Sequence, residues 1–440
     1  MNIMKRLFLL LAVIVSSAAF FSVSARKSEV LSYGTPESVG MNGEYLSRTL
    51  DSIANASIQS KCFPGCQILV ARHGKIVYHK SYGHHTFKQE RPVENHHLYD
   101  MASCTKVMAA TICLMRLVEQ KQLDLDKPIS LYLEEFKGSN KENLTLREIL
   151  THQSGIRNMS FTRLFLNKDK QLRTNLFSST QSEEFPYQCG ENLYSSKGIY
   201  DYMLNHIVKQ KVYAKKFKYS CLNWHLANIL VERVTGRKYE DFLYEEFYKP
   251  LGVKDATYNP RGKYPLSEIV PTGFDRRYRR GATHGFVHDT AAGMLGGVSG
   301  NAGLFANSGS LAIILQMLLN GGEYNGVRYF KRKTVREWSS YQYPKNNNHR
   351  GLGFDKPRFE APTPESSATI HYPYGPSASK QSFGHTGHTG TMVWIDPKAD
   401  MFMILLSNRV ATPNKNVFMK QNPRTKCHEA VYEAIKQYKK

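Results

Sequence analysis

Two apolar hairpins at opposite ends of the chain constrain the fold more than any other feature. Gln67 to Ala71 and Lys75 to His79 read as two strands about a turn at His73-Gly74, and Thr391 to Ile395 and Met401 to Leu406 form a second pair about Asp396-Pro397. The sequence between them is mostly helical. A helix follows Met101 and runs through Val118, and Thr145-Leu-Arg-Glu148 resembles a capping box opening a short helix that Gly155 ends. Leu222 to Val234 places Leu222, Leu226, Ile229 and Leu230 on one face before Gly236, and Ser310 to Leu319 closes at Gly321-Gly322. Helical spacing near Glu44 to Ile58 precedes the first hairpin, and a last helix runs from Lys426 to Tyr438. Strands, then helices, then strands and a helix fit an α+β fold (an α/β sandwich): an antiparallel sheet built from both ends, flanked by helices, with a mainly helical lobe inserted. The expected division is a sheet lobe of about 35–100 and 290–440 and a helical lobe of about 101–289, together one domain over 26–440. Residues 180–220 and 255–290 read as long loops of the kind that shape binding sites.

The first 25 residues have the order of a secretory signal: Lys5 and Arg6, the apolar run Leu7 to Val15, then small residues to Ala25. A cleaved signal and a periplasmic or secreted protein are expected; an uncleaved membrane anchor is the lesser alternative. A hydrophobic content of 41% supplies a sizeable core. The seven cysteines are scattered, so buried thiols are the default, with at most one local bridge. A net charge of +22 raises the question of nucleic acid, and FDRRYRR (Phe274 to Arg280) interleaves aromatics with arginines. No nucleic-acid fold signature accompanies it, and for an exported chain an anionic cell-envelope surface is the expected neighbour. Oligomeric state is not legible.

Chemistry concentrates in three segments. Ser103-Cys-Thr-Lys106 places a hydroxyl and an amine on one face of a helix start, where free backbone N–H groups are also available for a developing oxyanion. Tyr219-Ser220-Cys221 stands immediately before the Leu222 helix, and a phenol beside a lysine can have its proton affinity lowered and act as acid or base. Gly384-His385-Thr386-Gly387 leads into the last hairpin; its glycines let a substrate backbone approach closely, and the next N–H, of His388, could complete an oxyanion hole with that of Ser103. A second His388-Thr389-Gly390 leaves the register open from this segment alone.

Together the three resemble the serine β-lactamase and penicillin-binding protein superfamily, with a closer likeness to its class C branch of β-lactamases, carboxypeptidases, D-aminopeptidases and esterases. The likeness extends to LTLREILTHQSGI (Leu144 to Ile156), ILVERVTG (Ile229 to Gly236), HGFVHDTAAGMLGGVSGNAGLF (His284 to Phe305) and FGHTGHTGTMVWIDP, which sets the register on His385. The resemblance implies Ser103 as acylated nucleophile, Lys106 and Tyr219 as the proton-transfer pair with the base left open, and His385 as counterpart of a third-motif lysine. Thr386, Gly387, His388 and Cys221 would line the substrate. No metal or cofactor is implied, and the expected partner is a small-molecule or peptidoglycan-derived substrate, without nucleic acid.

Two departures bear on specificity. Cys221 stands where the family often has Asn or Asp, and a thiol is a weak donor and acceptor, which argues against efficient β-lactam turnover. Asn223, two residues on, is a candidate substitute. His385 can lose its charge near neutral pH, so recognition of a substrate carboxylate is expected to weaken as pH rises. His284, His288 and Asp289 suggest a metal site by residue type, yet their loop context reads as ordinary polar structure. His84-His85 and His96-His97 read as surface histidines, and Cys104 as a packed core thiol. The expectation is an exported serine hydrolase acting on an ester or peptide-like amide, a D-alanyl carboxypeptidase on cell-wall fragments or an esterase. A β-lactamase and a non-catalytic cell-wall-binding sensor of the same fold are the alternatives.

Overall fold

A computed structural model describes residues 30–158, 161–360, 372–412 and 414–438. The export-signal reading of residues 1–25 lies outside them. Among the described residues, no helix is long and apolar enough to cross a membrane.

The two hairpins meet in one six-stranded sheet. Its strands are β1 (Ser32–Tyr33), β2 (Gly65–Arg72), β3 (Lys75–Gly83), β4 (Phe383–Thr386), β5 (Met392–Asp396) and β6 (Met401–Ser407), in spatial order β1-β3-β2-β6-β5-β4. β1 lies parallel to β3, and the other neighbours are antiparallel. The seam between the chain ends is β2 on β6, registered from Arg72 opposite Met401 to Cys66 opposite Ser407. The turn at His73-Gly74 uses two left-handed residues, φ 50° and 72°, whose twist matches the flanking strands.

Both faces of the sheet are covered, so the central strands are apolar throughout rather than alternating with polar residues. Ile68, Val70, Met403 and Leu405 pack with α1 (Gly43–Gln59) and the carboxy-terminal helix, while Leu69, Ala71, Phe402 and Ile404 join the core of the helical region. That region holds α2 (Thr111–Glu119) and α3 (Leu222–Thr235); α4 (Ser308–Leu319) lies on the same face of the sheet, and α5 (Pro423–Tyr438) ends the chain. The α+β reading holds.

Two local expectations change. The capping box at Thr145 is present, with both reciprocal bonds, but its helix stops at Leu150. The Thr151 hydroxyl bonds back to the Arg147 carbonyl and His152 adopts φ 56°, so the turn forms before Gly155. The stretch near 180–220 is not all loop: it contains a helix, Ile199–Lys209, and part of a three-stranded sheet. All seven cysteines are free, six of them buried.

Candidate active site

The chain enters the site from a short strand, Tyr99–Asp100, paired with Leu304–Ala306. Ala102 then takes φ 45°, an uncommon conformation for a residue with a Cβ. The buried Asp100 carboxylate holds it there: Oδ1 accepts from the Ala102 N–H at 2.8 Å and Oδ2 from the His288 N–H at 2.6 Å. A tight turn, Ala102–Cys104, and a wide π-turn, Lys106–Ala110, follow before α2 begins. This distorted entry sets Ser103 half-exposed above a wholly buried Lys106.

Two polar side chains converge on the serine. Lys106 Nζ lies 3.0 Å from Ser103 Oγ and donates to the Asn301 carbonyl at 2.9 Å. The Tyr219 hydroxyl donates to Ser103 Oγ at 3.0 Å, and the lysine sits 5.5 Å from the tyrosine ring centre. His152, which the sequence reading passed over, positions that tyrosine. Its ring packs on Tyr219 at 4.4 Å, its carbonyl accepts from the Lys218 N–H, and its Nδ1 accepts from the Ser220 N–H. The signal was available in Thr151-His-Gln-Ser-Gly155, a segment that carried family resemblance but no assigned role.

Electrostatics separates the two groups beside Ser103. Burial, aided by Arg350, lowers the Lys106 pKa; Cys221 and Asp289 oppose the shift without cancelling it. Burial and then Cys221 push the Tyr219 phenol well above its ordinary range, against the expectation that the lysine would lower it. The resting tyrosine is therefore a neutral donor, while the lysine is the group whose proton is easiest to remove.

The third segment lies along β4. Cys104 is fully buried between this strand and the Ser103 turn, with its thiol directed at the His385 carbonyl at 3.5 Å and its pKa pushed up to about 11 by burial. Thr389 and Thr391 hydroxyls donate to the carbonyls of Asp100 and Met101, tying the loop to the Ser103 turn at 2.8 and 3.0 Å. Gly387 passes so close that a Cβ would lie 2.5 Å from the Met101 carbonyl. Thr386 is half-buried, and exposed His388 lines a cavity of about 280 Å³ with Ser103, His288 and Asp289.

His385 departs from expectation. It is 2% exposed, and burial together with Arg350 and Lys106 drives its pKa well below 6.5. Its Nδ1 contacts the Thr386 carbonyl at 2.8 Å, which requires a proton on Nδ1 and leaves Nε2 a lone-pair acceptor without a hydrogen bond. The imidazole is neutral across the neutral pH range, so it supplies no cation whose strength fades there. Asn223 cannot stand in for Cys221 either: it is fully buried, bonded to the Ser154 hydroxyl and the Ile149 carbonyl. Cys221 remains half-exposed, its sulfur 3.9 Å from Lys106 Nζ.

The other histidines and the basic segment have structural partners. His284 Nε2 contacts the Leu266 and Ile269 carbonyls, and His85 and His97 are buried and bonded to each other rather than lying on the surface. Among the described residues, no three metal-ligating side chains converge. In the basic segment, buried Arg279 pairs with Asp275 and donates to the Val287 and His288 carbonyls, bracing the loop that carries Asp289.

A serine flanked by a buried lysine and a tyrosine, on a two-sided sheet with an inserted helical region, defines a serine hydrolase of the penicillin-binding-protein type. The chain belongs to the β-lactamase family, whose model matches residues 50–422. It is 30% identical to a protein of Escherichia coli (strain K12) named "Putative D-alanyl-D-alanine carboxypeptidase", over 99% of this chain and 100% of that one. It is 29% identical to the N-acetylmuramyl-L-alanine amidase of Bacillus subtilis (strain 168), over 85% of each. Among solved structures, the D-amino acid amidase of Ochrobactrum anthropi SV3 shares the fold, with TM-score 0.61 and 16% identity over 90% of this chain and 99% of that one. So does EstCE1, a hydrolase with promiscuous acyltransferase activity, with TM-score 0.63 and 16% identity over 88% and 99%.

Proposed function

We propose that the protein is an exported hydrolase that cleaves esters or peptide-like amides through an acyl-enzyme at Ser103. The observation that carries this reading is the placement of Lys106 Nζ and the Tyr219 hydroxyl, each 3.0 Å from Ser103 Oγ. Neutral Lys106 takes the serine proton as Oγ bonds to the substrate carbonyl carbon. The proton then passes through the Tyr219 hydroxyl to the leaving nitrogen or oxygen as its bond to the carbonyl breaks. Water enters by the reverse route, giving its proton to Lys106 and releasing the acid and free Ser103. The N–H groups of Ser103 and His388 are the candidate oxyanion donors, with Thr386, Gly387 and Cys221 lining the substrate.

The lowered lysine and raised tyrosine pKa values favour Lys106 as base and Tyr219 as donor. The names of the bacterial relatives favour a D-amino-acid or cell-wall fragment as substrate. The amino-terminal charge and apolar pattern supports export to the periplasm or medium. Fluorophosphonate treatment followed by peptide mass mapping tests the mechanism: an adduct on Ser103, absent from Ser103→Ala, is expected. An unlabelled Ser103 in folded protein, under conditions that label a control serine hydrolase, would refute it.

A further inference from the structure

We infer that the protein holds a second ligand, a single-chain amphiphile with a carboxylate head, in a cavity of about 510 Å³ where β4 begins, at the end away from Gly387. The volume falls among the roughly 300–1,000 Å³ of small-molecule sites. Backbone pairing separates this cavity from the active site. Phe383 lines the cavity, Gly384 pairs with Asp355 through both its N–H and its carbonyl at 3.0 and 2.7 Å, and only then comes His385. No residue that lines the cavity takes part in the chemistry proposed at Ser103. One wall is apolar: Leu318 and Leu319 at the end of α4, with Val335 and Phe383.

The charge of this cavity has one sign. Arg332, Arg336, Lys356 and Lys380 line it, and none of the described lining residues is acidic. The ion pairs nearest in sequence are Arg328 with Glu323 and Arg350 with Asp355, and among the described residues none of the four cations joins one. Arg332 and Arg336 stand one turn apart on the helix Arg332–Trp338, and Lys380 donates to the Arg358 and Phe359 carbonyls. Lys356 is the decisive group. It is 3% exposed, donates to the Gln381 and Ser382 carbonyls at 3.4 and 3.1 Å, and lies 4.7 Å from the Tyr341 ring centre. Carbonyls and a ring face satisfy its donors without cancelling its charge, so burial lowers its pKa to about 8. Asp396 opposes that shift without cancelling it, and its carboxylate is taken up by Ser379, Tyr432 and the Lys398 N–H. One of the three ammonium N–H donors is left for a ligand, which matches a monovalent head. A carboxylate there neutralises a buried charge while its chain covers the apolar wall, and a cationic head is repelled.

The test is isothermal titration calorimetry of the purified protein with dodecanoate below its micelle concentration, with dodecyltrimethylammonium and acetate as the cationic and chainless controls. One saturable dodecanoate site is expected, and no saturable binding of either control. Lys356→Gln keeps N–H donors for the two carbonyls but loses the charge, and should weaken dodecanoate binding about tenfold or more. Arg336→Gln, on the exposed rim, should weaken it about threefold. Circular dichroism and thermal unfolding establish that each variant is folded. The absence of a saturable dodecanoate site, or equal binding of the two dodecyl probes, would overturn the inference. So would an unchanged affinity in folded Lys356→Gln or, should that variant not fold, in Arg336→Gln.

Discussion

Replacing Gly387 by alanine isolates the contact between the third segment and the Ser103 turn. The added Cβ would lie 2.1 Å from Thr391 Oγ1, 2.5 Å from the Met101 carbonyl and 3.2 Å from the Ala102 Cβ. The first two distances fall an ångström or more short of ordinary contact, and Thr391 is itself bonded to that carbonyl, so neither neighbour can yield alone. The strain must pass to Met101 and Ala102, which lead directly into Ser103. Overpacking of this kind costs about 1–3 kcal/mol of stability, and moving a reacting atom by about 1 Å costs about a hundredfold in rate. Rates of Ser103 labelling and of 4-nitrophenyl acetate hydrolysis, measured beside thermal unfolding, read both effects. Gly322→Ala is the control, because its Cβ would meet the Phe330 carbonyl at 2.4 Å after the end of α4. It should lose comparable stability and keep its labelling rate. A folded Gly387→Ala protein that labels at the wild-type rate would refute the argument that this glycine sets the position of Ser103.

Tyr219→Phe removes the hydroxyl 3.0 Å from Ser103 Oγ without emptying the space against His152, so acylation should slow by about 10²–10⁴-fold with little change in melting temperature. Stopped-flow measurement of the acylation step checks it. Since burial lowers the Lys106 pKa, kcat/KM should rise with pH through a midpoint below the ordinary lysine value of 10.5, and Lys106→Arg, which cannot act as a base, should show no such limb. His428, in α5, accepts the Gly375 N–H and is held by burial at a pKa of about 3. The unfolded chain binds a proton there below its ordinary value of 6.5, so the contribution is complete above that pH and is lost as pH falls. By about pH 5 it has lost about 2 kcal/mol, and urea titrations of His428→Gln should show a shallower acid decline than wild type.

How much of this was legible in the sequence depended on whether the information was local or required the assembled fold. Ser103 and Lys106 share one turn, so their spacing alone put them together. Tyr219 and His385 were found through the order and context of their motifs, because no local rule says that residues 116 and 282 positions away will meet. The capping box at Thr145 was readable for the same local reason. Protonation was not: His385 owes its state to burial and to Arg350, which belongs to no motif, and Tyr219 owes its state to burial and to Cys221. Asn223 looked available until Ser154 and Ile149 were seen to occupy it. His152 and Asp100 act by fixing backbone, a role that leaves no chemical trace in a linear pattern.

The seam of β2 on β6 has a consequence for timing. β2 and β6 are joined only when residues 66–72 find residues 401–407, and the Ser103 turn is itself tied to Thr389 and Thr391. Contacts between such distant parts of a chain form late, since closing the intervening loop costs entropy before any pairing rewards it. A chain lacking residues 391–440 holds Ser103, Lys106 and Tyr219, yet has no partner for β2 on this side and lacks the Thr391 tie to the Met101 carbonyl. The Ser103 turn therefore gains the support of a complete sheet only after residues 401–407 have paired with residues 66–72.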